Sequence, residues 1–335
     1  MVFKRSRIEL VTSIKDLENS GNIHAVFFAL TPLHAVYASV LRKKFKIEKS
    51  ILIFTPPIIS EQNKFYATEM KNEFEDVFFA QITLNRINNV ILIWEIRNYL
   101  KIKGIYKPLV FVTCIKSNFY RLMIIALEPC RVVSFDDGFG NVYEEWFWSD
   151  SEQNMYSQVL TFIEPRLKYV NIRKTILNFT MFLNKNAFKN SLFIPIFKEE
   201  QFITSGALIT VFLLPSYSIR GRISKYEEEK FINRCMKKFD IDVFINHPRN
   251  GDNYFSIKDM KISSSPYIAE LQIQRLNQTA KVHVISPPSS VLFTLSSHSN
   301  IIKTLIIPNI NVIDNDSMVR YVTLAEQAGI NTVKI

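Results

Sequence analysis

Three cysteines in 335 residues, Cys114, Cys130 and Cys235, are too few and too scattered for a disulfide framework or a zinc site. Two of them sit in apolar, strand-like runs, so buried thiols of a reducing compartment are expected. The sequence shows no charged-then-apolar leader ending in a small-residue cleavage site, and no run of about 18 uncharged apolar residues. The expectation is a cytoplasmic chain, or one that lies on a membrane without crossing it. There is no Gly-x-Gly-x-x-Gly after the first apolar strand and no P-loop, which argues against a nicotinamide, flavin or triphosphate site. No helix-turn-helix or aromatic-studded sheet gathers the basic residues, so nucleic acid is not an expected partner.

What the chain does have is material for cores. It is 47% hydrophobic and 13% aromatic, enough for two domains or one large one. A formal net charge of +10 favours anionic partners, among them nucleotides and the acidic face of a membrane, without choosing between them.

The first half alternates short apolar runs with amphipathic stretches. Ile23 to Leu30 reads as a buried strand, and Thr31-Pro32 follows as N-cap and first helical residue of a helix running to about Leu41. That helix start is a natural place for an anion, with Thr31 on the donor side. His34 reads either as a packed helix residue or as a donor-site contact. Strands are expected at 50–54, 76–80, 108–113 and 130–135, with helices from Ser60 to about Lys71, over 87–99 and over 117–127. Continuous apolar strands between helices indicate a parallel sheet covered on both faces.

The last of these strands runs into Phe135-Asp136-Asp137-Gly138-Phe139-Gly140-Asn141. Carboxylates at the C-terminal end of a strand stand in the crevice where such sheets bind ligands. The same residues also make an ordinary Asp-Asp-Gly turn that satisfies local backbone groups.

From about Glu144 to Ile203 the alternation dissolves into aromatic and basic residues. Lys168, Lys174, Lys185 and Lys189 interleave there with Ile172, Ile176, Phe179, Phe182 and Phe188. Such a segment fits a basic amphipathic helix on anionic lipid, or an interdomain helix packed on the first domain.

A second alternating series opens with the strand 207–214, the polar loop 217–222, and a helix that Ser224 and Glu227 begin as a capping box. The strand 242–245 ends in Asn246-His247-Pro248-Arg249, where a histidine and an arginine beside a rigid proline can meet a phosphate. A third stretch, 281–293, reads as strand, proline-fixed loop and helix start. Ser289 and Ser290 supply hydroxyls there beside free backbone N–H groups. His283 and His298 read as structural. A strand at 301–307, a helix at 316–328 and a final strand or tail at 332–335 complete a second Rossmann-like unit.

The expected fold is therefore α/β, with two Rossmann-like domains facing across a cleft in the GT-B glycosyltransferase architecture. The boundaries are 1–155 for an acceptor-side domain, 156–203 for the basic and aromatic segment, and 204–335 for a donor-binding domain. The order Asp-Asp-Gly, then His-Pro, then Ser-Ser marks bacterial sialyltransferases, and this chain resembles that group. Its Leu30-Thr31-Pro32-Leu33, Phe135-Asp136-Asp137-Gly138 and His247-Pro248-Arg249 are most similar to the lipooligosaccharide sialyltransferase family.

The resemblance implies CMP-sialic acid as donor, a galactose-terminated glycan as acceptor, and inversion at the anomeric carbon. Asp137 would be the general base, with Asp136 as the less favoured candidate or as a residue that orients the loop or the acceptor. His247 would donate a proton or hydrogen bond to the departing phosphate. Ser289 and Ser290 would hold that phosphate, with Pro248 and Arg249 beside it. Gly138 and Asn141 belong to the acceptor-side loop. No metal and no cofactor are expected, because a single phosphate can be held by a histidine, hydroxyls and backbone N–H groups. The glutamates at 227–229 stand in reserve as base. A homodimer and a peripheral contact with an anionic inner membrane complete the expected partners. The rivals are a transferase of another nucleotide-sugar, such as a UDP-sugar or CMP-Kdo, and a non-catalytic protein that binds a membrane surface through the 166–189 stretch.

Overall fold

The computed structural model describes residues 8–18, 23–83, 85–115, 117–129, 131–136, 172, 174–183, 188–197, 205–250, 254–295, 298, 300–310, 312 and 314–335. These residues divide into two compact units. The first comprises Met1–Met181 with Lys185–Ile196, and the second Phe182–Asn184 with Phe197–Ile335. No helix of the described residues is long and apolar enough to cross a membrane.

The first unit is an eight-stranded sheet. Its strands are β1 (Glu9–Leu10), β2 (Ala25–Ala29), β3 (Ser50–Phe54), β4 (Asp76–Phe79), β5 (Leu109–Val112), β6 (Arg131–Phe135), β7 (Asn178–Thr180) and β8 (Ser191–Phe193). They pair in the order β4-β3-β2-β5-β6-β7-β8, with β1 alongside β6. Every pairing is parallel. The chain winds outward from β2 through β3 to β4 and returns to lay β5 on the other side of β2. The sheet thus reverses direction between β2 and β5, where doubly wound sheets bind their ligands.

The strands form because their residues are apolar on both faces: β2, β3 and β5 are buried along their whole length. The helices α1 (Ile14–Glu18), α2 (Pro32–Lys44), α3 (Glu61–Glu69), α4 (Arg86–Ile102) and α5 (Asn118–Leu127) connect them. On one face, α4 and α5 press Leu92, Ile96, Tyr120 and Met123 onto Val26, Phe28, Ile53 and Val110. Phe27 of β2 stacks on Phe111 of β5 at 4.2 Å, and Phe111 faces Phe179 of β7 at 6.4 Å. Each such phenyl ring, fully withdrawn from water, contributes about 1.5–3 kcal/mol.

The segment expected as a basic amphipathic helix is built differently over its described residues. Residues 178–180 and 191–193 are the strands β7 and β8 of this sheet. Ile172, Ile176 and Phe188 lie in the core, and Leu177, Phe179, Met181 and Phe182 are also buried. These seven apolar side chains are therefore not available to lipid, and of the described large apolar residues here Leu183 is exposed. Aromatic residues spaced for a helix served a strand pair, because β6 was left with an unpaired edge to cover. Leu167, Arg166, Lys168, Arg173 and Lys185 lie outside the described residues.

The second unit carries β9 (Ser205–Leu213), β10 (Val243–Ile245), β11 (Ala280–Ser286), β12 (Ile301–Ile307) and β13 (Asn331–Lys334), paired in the order β10-β9-β11-β12-β13 and all parallel. A single parallel bridge from Ile262 to Phe244 adds a rudimentary strand outside β10. With it the wind matches that of the first unit, and the reversal falls between β9 and β11. Helices α6 (Lys225–Lys238), α7 (Ala269–Asn277), α8 (Val291–Thr294) and α9 (Asn315–Gln327) connect these strands. Phe231, Ile232 and Cys235 of α6 pack on Phe212, Phe244, Ile285 and Ile306.

Candidate active site

In the first unit the site begins where β2 ends. Thr31 is the N-cap of α2 and accepts a hydrogen bond from His34 N at 3.3 Å, with Pro32 at the first helical position. His34 is buried, and its Nδ1 accepts from Leu30 N at 3.3 Å. Burial pushes its pKa down to about 3, so the ring is neutral. It stands edge-on to Phe135, 6.5 Å between centroids. His34 is the packed alternative of its two readings.

Asp136 follows β6 directly and is fully buried. Its Oδ1 accepts from Asn178 Nδ2 at 3.1 Å, and its Oδ2 from Thr180 Oγ1 at 2.6 Å and Met181 N at 2.9 Å. Its main chain is held equally closely. Asp136 N donates to Phe179 O at 3.0 Å, and Thr113 Oγ1 donates to Asp136 O at 3.0 Å. A carboxylate enclosed by three donors from β7 and the turn after it is part of the frame. Both oxygens of Asp136, the less favoured candidate for the base, already accept hydrogen bonds. Asp137, Gly138 and Asn141 lie outside the described residues.

In the second unit the parallel register sets Val243–Ile245 of β10 against Val211–Leu213 of β9. The loops that follow these two strands therefore leave the sheet side by side. Leu214 N donates to Ile245 O at 3.0 Å, and Asn250 Nδ2 to Pro215 O at 2.8 Å, tying one loop to the other. His247 is half-buried in the second loop, and its Nδ1 accepts from Arg249 N at 3.1 Å. With that nitrogen an acceptor, the proton of the neutral ring sits on Nε2. Burial, with the charges of Arg220 and Arg249 as smaller causes, lowers the His247 pKa to about 3. Pro248 and Arg249 are exposed beside it.

Arg220 and Arg222 come from the loop after β9. It is a single helical turn closed by Arg220 N to Ser216 O at 3.3 Å and Gly221 N to Ser218 O at 2.9 Å. Gly221 ends the turn at φ +66°, a left-handed conformation that suits glycine. The turn is pinned from below by Glu228 of α6, which is fully buried. Glu228 Oε1 accepts from Tyr217 N at 2.6 Å and Oε2 from Ser218 N at 3.1 Å, with a further short bond from Ser218 Oγ. Arg220 is held close enough to Arg249 and Arg222 that, after its own partial burial, their charges disfavour its cationic form. Like charges gathered round a neutral imidazole are an arrangement that can meet an anion.

The glutamates at 227–229 are occupied otherwise than as bases. Ser224 and Glu227 form the expected capping box, with Ser224 N donating to Glu227 Oε2 at 2.9 Å. Glu228 holds the loop, and Glu229 pairs with Lys225 at 3.8 Å.

Ser289 and Ser290 follow β11, on the other side of the sheet's reversal. Ser289 Oγ accepts from Val291 N at 3.3 Å, and its carbonyl accepts from Tyr321 Oη at 2.6 Å. Ser290 caps α8 without a side-chain hydrogen bond, leaving its hydroxyl outside the cap. That helix is four residues long, a single turn, so the full dipole expected of a longer helix is not built. Beneath the turn, Glu270 of α7 is buried next to Thr294, whose Oγ1 donates to it at 3.4 Å. Burial raises its pKa to about 7. His283 is structural as expected, its Nε2 2.8 Å from Thr304 Oγ1 on β12.

Arg220 and Glu270 were not among the sequence-derived candidates, and Glu228 was among them only as a reserve base, not as the residue that holds the loop after β9. The first had a signal: two arginines flank a glycine in the polar loop that follows an apolar strand. Glu270 had none, and nothing local in the sequence told that Glu228 would meet the backbone of Tyr217 and Ser218.

Residues 48–310 match the family model of glycosyltransferase family 52. No curated protein matches the chain significantly. Among solved structures, a UDP-glucosyltransferase from Polygonum tinctorium is similar at a TM-score of 0.52 and 9% identity, with 91% of this chain and 83% of that one covered. A spinosyn rhamnosyltransferase in complex with thymidine diphosphate has a TM-score of 0.51 at 10% identity, over 93% and 86%. At these identities the likeness speaks to the fold, which is GT-B.

Proposed function

The chain belongs to glycosyltransferase family 52, a family of bacterial sialyltransferases, and on that membership we propose a donor, an acceptor class and a division of labour among its residues. The donor is CMP-sialic acid and the acceptor is a glycan ending in galactose. The bond from the sialyl anomeric carbon to the phosphate oxygen breaks, and the acceptor oxygen joins that carbon from the opposite face. The acceptor's hydroxyl proton passes to a carboxylate, and CMP leaves. Asp137 is our candidate for that carboxylate. Asp136 sets where it stands by anchoring the end of β6.

The observation that carries this reading is the arrangement round His247. A neutral imidazole whose free N–H is Nε2, flanked by Arg220 and Arg249, suits the charge that develops on a departing phosphate. His247 contributes a hydrogen bond there, and the two guanidinium groups hold the donor phosphate alike before and during its departure. The hydroxyl of Ser290 and the N–H groups of its turn complete the phosphate site, with Ser289 shaping that turn. Thr31 acts through the cap of α2.

The test is CMP release from CMP-sialic acid with lactose-type and galactose-terminated acceptors, in EDTA, comparing wild type with Asp137→Ala and His247→Ala. Acceptor-dependent turnover that persists in EDTA and collapses in both variants is expected. Turnover with a UDP-sugar and none with CMP-sialic acid would overturn the donor assignment.

A further inference from the structure

Helix α4 is apolar on two sides. Leu92, Ile93, Ile96 and Leu100 face inward and are buried in the first unit's core. On the outward side Ile87 is 70% exposed, Val90 52%, Ile91 50%, Trp94 63% and Ile102 85%. At roughly 100° per residue these five fall within an arc of about 120°: Ile87, Val90, Ile91 and Trp94 form one ridge over the first turns, and Ile102 lies beyond Asn98 and Lys101, which share the arc. Four large apolar side chains side by side on a surface helix are not the scattered exposure ordinary for a globular protein.

The charges beside the ridge are asymmetric. Arg86, Arg97 and Lys101 lie along its Val90 edge, Lys103 follows at the C-cap, and Glu95 is the single acid on the helix. Lys103 is partly taken up by Asp76 at 2.6 Å. A second copy of this chain would present the same basic edge, in a protein whose net charge is already +10. An anionic lipid surface offers the opposite charge, and a tryptophan among isoleucines is the composition that settles at a lipid–water boundary. We infer that the outward ridge of α4 is the surface by which this protein lies on an anionic bilayer, Ile87, Ile91 and Trp94 entering the acyl boundary and Arg97 and Lys101 meeting headgroup phosphates. This is a different place from the 166–189 stretch, whose described apolar residues are almost all in the interior.

The inference is independent of the reaction, because vesicle binding is measured without substrate. The protein is sedimented with phosphatidylcholine vesicles, with and without about one third phosphatidylglycerol. Wild type should pellet with the mixed vesicles several-fold more than with phosphatidylcholine alone. Ile87→Ser/Trp94→Ser should lose that binding at unchanged thermal midpoint. Arg97→Glu/Lys101→Glu should lose the preference for phosphatidylglycerol, and turnover on a soluble acceptor should be unchanged in both. Equal pelleting of wild type and Ile87→Ser/Trp94→Ser would overturn the proposal. So would a wild-type dimer by light scattering that becomes monomeric in the same variant with no vesicle binding by either, since the ridge would then be covered by a second copy.

Discussion

Of the two adjacent aspartates at the end of β6, the one that can be described is a structural residue. Asp136 gathers Asn178 Nδ2, Thr180 Oγ1 and Met181 N, each buried. Removing the acceptor strands three donors, and each unsatisfied buried donor costs about 1–3 kcal/mol. Asp136→Ala should therefore lose at least about 3 kcal/mol in denaturant unfolding. Asp136→Asn should lose much less. Asn178 Oδ1 is buried without a partner, so that side chain can turn its amide and accept from the new NH₂ group. An Asn variant as damaged as the Ala variant would mean that the charge, not the hydrogen bonds, holds this corner. Glu270 offers a second residue-scale test. Its folded pKa of about 7 lies above the ordinary 4.5, so the folded state holds a proton that the unfolded state has released. Stability is then fully present below pH 4.5 and declines as pH rises to 7, by about 3 kcal/mol at most. Glu270→Gln cannot ionise. The difference in unfolding free energy between Gln and wild type should grow over pH 4.5–7 and level off above, and a difference flat with pH would show that Glu270 is not held in its protonated form.

The strands that bury both faces were legible because a parallel sheet requires continuous apolar runs, and β2, β3, β5 and β6 are little else. Strands of three residues such as β7 and β8 were not legible. Their stability comes from pairing, β7 with β6 tens of residues away and β8 with β7, and nothing local distinguishes them from a helix face. The candidate site shows the same divide. The ends of β10 and β11 were readable through His-Pro and Ser-Ser, whereas the turn after β9 needed Glu228 beneath it to have a shape at all. That gives an element-scale prediction. Glu228→Gln keeps one acceptor oxygen and loses the other, so it can serve Tyr217 N or Ser218 but not both. The turn that carries Arg220 loosens, and its contribution at the donor phosphate falls. KM for CMP-sialic acid should rise about tenfold, which is roughly 1.4 kcal/mol of binding, with kcat within about twofold. Arg220→Ala should give the same split. A fall in kcat at unchanged KM would mean that this turn acts on the transition state rather than on the donor.

At the scale of the whole molecule, the two units have separate sheets and separate cores, and all of the proposed phosphate contacts of His247, Arg249, Arg220 and Ser290 belong to the second. Donor binding is therefore predicted to stabilise the two units unequally. A ligand that binds only the folded form adds RT ln(1 + [L]/Kd), about 2.7 kcal/mol at a hundredfold excess over Kd. Amides that exchange only when the second unit opens should then slow by about a hundredfold. The reporters are the strands that carry the site, β9, β10 and β11, read at Phe212, Ile245 and Val284 by hydrogen–deuterium exchange with saturating CMP. The same experiment reads Phe28, Val110 and Val133 in the first unit as internal controls, which should exchange as before. Slowing of both sets by the same factor would show that the units open as one. Slowing confined to the first unit would remove the phosphate site from His247 and place it at β2 and β6.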